Sequence, residues 1–168
     1  MPFTPYHFGP SGFVALTLRR WIDIPVFILA NVIVDIEVLV IGLLGLGWPC
    51  HRYCHTLLFG TVAGAVWGAL AYRAKPALAW AMQQLRIPYK TNFWKMVASG
   101  ILGVWLHVFL DAIYHGDVRI FWPSRAIPLF GLISRGQVKV ICLALFAAAV
   151  IPYAIAAKSY TKQDRTKE

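Results

Sequence analysis

Four apolar runs decide what this chain can become. They lie at about 24–47, 55–72, 96–114 and 138–157, and a helix needs about 20 apolar residues to cross the hydrocarbon of a bilayer. Inside lipid the backbone satisfies its own polar groups only as helix or closed barrel, and runs this long without alternation select helix. Composition agrees. Of the 168 residues, 59% are hydrophobic and 14% charged, with mean hydropathy +0.63, whereas soluble domains carry about 25% charged residues. The expected fold is all-α, a polytopic membrane helical bundle of four transmembrane helices. Residues 1–157 read as a single membrane-embedded domain and 158–168 as a polar C-terminal tail.

The formal charge of +9 raises nucleic acid as a partner, but the basic residues sit in the gaps between apolar runs. That placement suits membrane topology, not a phosphate-tracking stripe, so the expected partner is the lipid bilayer and no nucleic acid. Eleven cations, from Arg19, Arg20 and Arg73 to Lys95 and Lys167, fall on one side. Five fall on the other: Arg52, Arg119, Arg125, Arg135 and Lys139. The richer side is expected to be cytoplasmic, in a multi-pass protein of the bacterial inner membrane. The opening "MPFTPYHFGPSG" lacks the basic start of a signal peptide, so the first apolar run is expected to persist in the mature protein.

Residues 9–20, "GPSGFVALTLRR", are helical in pattern but too short to span. They predict either an interfacial helix or a half-length helix that reaches the cytoplasmic surface and pivots near Trp21 into the first span. In the second case His7 and Asp35, fourteen residues either side of the pivot, both stand about 20 Å above it.

Polar residues inside the apolar runs carry the functional signal. Asp35, Glu37, His107 and Asp111 fall within predicted spans, and His55 at the mouth of another. Ionisable groups at that depth cost several kcal/mol and mark functional sites by default. His107 and Asp111 are spaced i, i+4 and so share one helix face, and His51 and His55 have the same spacing at the entry of the second span. Asp35 and Glu37 are two apart, about 200° around a helix. A straight helix cannot aim both into one pocket, which favours Asp35 as ligand and Glu37 as its supporting partner or as general base. Rise along each helix places His7, Asp35, His51, His55, His107 and Asp111 within about two turns of one another. Imidazoles with carboxylates suit a divalent transition metal, zinc first and manganese or iron next, as one ion or two.

The cysteines in "CHRYCH", residues 50–55, invite two other readings. A c-type haem needs Cys-x-x-Cys-His, and the spacing here is one residue too long. A closed zinc site would use Cys50 and Cys54, but no second cysteine-rich half exists among three cysteines. The histidines carry more weight than the sulfurs.

In order, these elements are an N-terminal His in "TPYHFGPSG", the acids of "VIVDIEV", "HRYCHT", the His107/Asp111 pair of "LHVFLD", and "FWP" at 121–123. Jointly they resemble the YdjM-like inner-membrane metal-dependent hydrolase family, whose members are described as LexA-binding, membrane-associated hydrolases. The resemblance covers about residues 4–123. Departures fall at the acidic element, which lacks the family's proline and has Glu37 second, and at Tyr53, Cys54 and Tyr114, which stand where the family pattern has glycine, threonine and threonine. A looser likeness, of sites rather than folds, is to zinc-dependent phospholipase C through its H-x-x-x-D helix. The resemblance implies metal-dependent hydrolysis. The expected function is hydrolysis of a phosphoester, including a lipid phosphoester. His7, Asp35, His51, His55, His107 and Asp111 would be metal ligands, Glu37 or His115 would carry protons, and Arg52 would hold a phosphate oxygen. Trp48, Trp122 and Pro123 would shape the mouth. The alternatives are a metal-ion transporter, which predicts polar residues at several depths, and a non-enzymatic membrane protein with a closed structural metal site.

Overall fold

Four of the helices begin at a residue whose side chain accepts a hydrogen bond from the first turn. The computed structural model describes residues 4–165. A 3-10 turn, Thr4–His7, leads directly into α1, Phe8–Thr17. Asp23 caps α2, Ile24–Leu43, by accepting from the Val26 N–H at 3.2 Å. Thr56 does the same for α3, Leu57–Arg73, and Asn92 for α5, Phe93–Tyr114. Ser134 and Gln137 form a reciprocal capping box at the start of α6, Arg135–Ala148. The two remaining helices are α4, Lys75–Gln84, and α7, Val150–Arg165. No strand occurs among the described residues, so the all-helical expectation holds.

Three stretches are long and apolar enough to cross a membrane: Ile24–Leu43, Phe93–Tyr114, and Arg135–Lys162, the last made of α6 and α7 together. The fourth candidate is α3, which turns through 80° into α4 after a single residue. At 1.5 Å per residue α3 is about 26 Å long, close to a hydrocarbon thickness. The break between α6 and α7 at Ala149 has a cause in Pro152, which has no N–H to offer the Ala148 carbonyl four residues earlier.

Boundaries shift in physically sensible ways. The first span stops at Leu43 instead of running to 47, because Gly45 and Gly47 adopt positive φ, the left-handed geometry that ends helices. The short N-terminal helix proves to be the half-length alternative. Gly9, Pro10, Ser11, Gly12, Ala15 and Leu16 are buried, and the helix lies against α6 so closely that a side chain at Gly9 would collide with the Cys142 carbonyl. Helix α4 was not anticipated. The expected polar tail is helical as far as Arg165, and 166–168 lie outside the described residues.

Two helices form the tightest seam. On α3, a Cβ at Gly64 would stand 2.7 Å from the Gly100 carbonyl oxygen of α5, and one at Gly68 2.5 Å from that of Met96. On its other side α5 meets α2 through Gly103, where a Cβ would lie 2.5 Å from the Phe27 carbonyl oxygen. Such small-residue stripes let transmembrane backbones touch. The outward residues of α2, α3 and α6, among them Leu39, Val62, Leu70, Leu143 and Phe146, are exposed and apolar, as a lipid-facing surface requires. Gly64→Ala should therefore lower the thermal midpoint in detergent, by the equivalent of about 1–3 kcal/mol. Gly42→Ala adds the same methyl where nothing lies within 4 Å and should leave the midpoint unchanged or slightly raised.

Candidate metal centre

Helix periodicity and the hairpin pivot bring the polar residues to one level. On α5, His107 and Asp111 share a face, and the His107 Nε2 lies 3.2 Å from Asp111 Oδ2. From α2, Asp35 Oδ1 approaches the same His107 nitrogen at 3.3 Å. His55, in the turn just before α3, places its Nε2 3.6 Å from Asp111 Oδ2 and 3.8 Å from Asp35 Oδ1. His7 arrives from the end of the 3-10 turn, its Nε2 3.1 Å from Asp111 Oδ1 and its ring stacked on that of His107 at 4.3 Å. His51 completes the group, with Nε2 3.7 Å from Asp111 Oδ2. Of the six residues expected as ligands, four imidazoles thus meet the Asp111 carboxylate, and Asp35 joins them through His55 and His107.

Two further carboxylates orient the imidazoles from behind. Glu37 accepts the backbone N–H groups of Arg52, Tyr53 and Cys54 at 2.8–3.2 Å. It also meets His55 Nδ1 at 3.0 Å. Asp117 accepts from the Cys50 and His51 N–H groups and meets His51 Nδ1 at 2.9 Å. A hydrogen bond at Nδ1 fixes the tautomer and leaves Nε2 as the free lone pair. Both rings turn that nitrogen inward. Burial would raise the Asp117 carboxyl, but the hydrogen bonds and charge of His51 and its neighbours outweigh it and hold the group below its ordinary value. Asp117 was not singled out from sequence. The available signal was scarcity, since the chain has only seven acidic residues.

The donor set fits a metal ion. One atom each from Asp35, His55, His107 and Asp111 lies within 4.8 Å of all the others. Ligands about 2.0–2.1 Å from a tetrahedral zinc stand about 3.4 Å apart, and the four contacts just given run from 3.2 to 3.8 Å. His55 Nε2 and His107 Nε2 are buried and make no hydrogen bond within the described residues, although buried polar nitrogens ordinarily do. Asp35 keeps 24% of its side chain exposed while His55 and His107 have none, so the centre is open on that side.

His115 ends α5 in extended backbone, where the expected histidine stripe stops. Its ring lies 4.3 Å from that of His51, and burial pushes its imidazole down to about 4. His51, His115 and Asp117 form a second group of suitable donor spacing. A cavity of about 270 Å³ opens beside it, lined by His51, Arg52, Asp117, Arg119 and Trp122 among others. Arg52 is anchored there, its Nε donating to the Pro49 carbonyl and its terminal nitrogen to that of Leu46. Trp122 borders the cavity as expected, whereas Trp48 is 73% exposed. All three cysteines are free.

Comparison with curated proteins and with solved structures finds no match. The family model described as YdjM inner membrane protein matches residues 21–164, which takes in Asp35 and Glu37, the His51/His55 turn and the His107/Asp111 pair. With that match over most of its length, and with apolar helices able to span a bilayer, this chain belongs to the YdjM family of multi-pass inner membrane proteins.

Proposed function

We propose that the protein is a membrane-embedded metal-dependent hydrolase of phosphoesters, with Asp35, His55, His107 and Asp111 holding a divalent ion, zinc foremost. The supporting observation is a buried four-donor cluster at tetrahedral spacing with one exposed edge, at Asp35. Four protein donors close a tetrahedron, so catalysis here requires the ion to take a further ligand on the exposed Asp35 side, as zinc does when it expands to five-coordinate in a transition state. A bound ion of this kind supplies Lewis-acid polarisation of a phosphoryl oxygen and of a water. His7 and His51 complete the ring of imidazoles around Asp111 and bias its two oxygens. Arg52 and Arg119 line the cavity beside His51, which supports a role for them in holding phosphate oxygens by charge-assisted hydrogen bonds. His115, against the His51 ring, is the group left to carry a proton.

Glu37 we read as a positioning residue. Its two oxygens already accept from three backbone N–H groups and one imidazole, which leaves it no capacity to serve as a base. Asp117 plays the same part for His51. A second ion at His51, His115 and Asp117 would require Asp117 to surrender those bonds, so one ion is the better fit.

Metal analysis of detergent-purified protein should find about one transition-metal ion per chain, by the count of one tetrahedral site. His107→Ala/Asp111→Ala should lose it together with hydrolysis of any phosphoester or lipid phosphoester that the wild type cleaves. Wild-type protein without bound metal would sink the proposal. Metal without hydrolysis of any substrate would favour the structural alternative, and metal flux in proteoliposomes the transporter. Glu37→Gln and Asp117→Asn should each keep the fold and weaken metal affinity by about 10–100-fold, read by competition with a chromogenic chelator.

A further inference from the structure

At the opposite end of the bundle lies a second cavity, of about 700 Å³, whose lining has no acidic residue. Arg19 and Arg20 come to it from the turn after α1, Lys90 from the connection between α4 and α5, and Lys95 from the first turn of α5. Thr91 and Asn92 supply neutral polar groups between them. The cavity therefore gathers four cations from segments far apart in sequence into one concavity. Charge that serves only topology has no need to converge in this way, because the positive-inside bias counts residues and not their arrangement.

The cleft is built, not incidental. Lys95 Nζ donates to the carbonyls of Arg19 and Lys90 at 3.0 and 3.1 Å, which ties the α1–α2 turn to the α4–α5 connection. Asp23 lies behind this junction, 1% exposed. One of its oxygens accepts from the Val26 N–H and the other from the Tyr89 hydroxyl at 2.9 Å. Its charge acts on Lys95, and no carboxylate lines the cleft beside Arg19, Arg20 and Lys90. Helix α5 is 22 residues long, and its N-terminus adds a positive dipole end at the same place. Trp21 and Trp94, next in sequence to Arg20 and Lys95, are 72% and 75% exposed, and exposed tryptophans beside arginine and lysine mark headgroup depth.

We infer that this cleft is a binding site for a phosphate group on the Lys/Arg-rich, cytoplasmic face, recognised as the headgroup of an anionic phospholipid or as a free phosphate. Guanidinium forks and ammonium groups around a concavity without acidic lining are what phosphate recognition uses. The site is separate from the metal centre. Asp23 and Asp35 are twelve residues apart on α2, or about 18 Å, so this inference stands or falls independently of the hydrolase reading.

The test uses the full chain in detergent and native mass spectrometry at low ionic strength. The lipid probes are phosphatidylglycerol and phosphatidylcholine of the same acyl chains, and the soluble probe is inorganic phosphate. Phosphatidylglycerol should be retained over phosphatidylcholine, and more weakly as salt rises. Arg19→Gln/Arg20→Gln/Lys90→Gln should cut that retention on the order of 100-fold, at about fivefold for each cation near a membrane surface. Arg73→Gln/Lys158→Gln removes two exposed cations outside the cleft and should leave it unchanged. Retention of inorganic phosphate, lost in the cleft variant, would assign the same site to a soluble phosphate. Equal retention of the two lipids with no phosphate bound would overturn the inference, as would equal losses in the two variants. Thermal midpoints of both variants within the wild-type range exclude misfolding as the cause.

Discussion

A carboxylate at membrane depth is the interaction around which this protein is organised. Asp111 is 2% exposed in the middle of an apolar bundle, where an unpaired charge costs several kcal/mol. The chain meets that cost with imidazoles: His7 faces one of its oxygens, and His51, His55 and His107 face the other. Each comes from a different part of the chain. The 3-10 turn, the loop after α2, the turn before α3 and α5 itself must all be in place for the group to exist. The same convergence that stabilises Asp111 leaves buried nitrogens and carboxylate oxygens at a spacing that could hold a metal ion.

The scaffold makes this possible by economy of side chains elsewhere. Glycines on α3 and α5 let two backbones touch, so the helix carrying His107 and Asp111 sits directly against the one that His55 leads into. Gly103 does the same toward α2 and fixes the height of Asp35. The half-length α1 carries His7 at its N-terminal end to the level of Asp111, and its small buried residues let it lie against α6. Below the centre the helices meet through apolar and small residues such as Val26, Ala30, Met96 and Val104. The buried polar side chains at that level, Asn31 and Ser99, bond backbone groups, Asn31 donating to the Ile28 carbonyl and Ser99 to the Lys95 carbonyl while accepting the Asp23 N–H.

The site was legible to the extent that its geometry is helical. The i, i+4 spacing of His107 and Asp111 translates directly into a shared face, and equal distances from the Trp21 pivot put His7 and Asp35 at one height. Where rings act as bridges, spacing misleads. Asp35 and Glu37 diverge around α2, yet both serve His55, because one imidazole offers Nε2 to the first and Nδ1 to the second. The angle argument rightly denied them a common pocket, but it had no access to a ring lying between them. Asp117 escaped notice, and Arg119 was read only as a loop charge, because they sit in an irregular connection where residue spacing carries no direction.

What the sequence by itself determined is the class of molecule. Apolar runs of membrane length, a one-sided excess of lysine and arginine, and ionisable residues at one depth are local properties, and helix periodicity converts them into position. Tertiary structure alone decided which nitrogen of each histidine faces inward, that Glu37 is consumed by the 52–54 backbone, that α1 packs inside the bundle, and that Arg19, Arg20, Lys90 and Lys95 close on one cleft. These depend on loops and on contacts between distant segments. Hydrogen bonds of that kind are set by where the helices end and by how near their small residues let them approach.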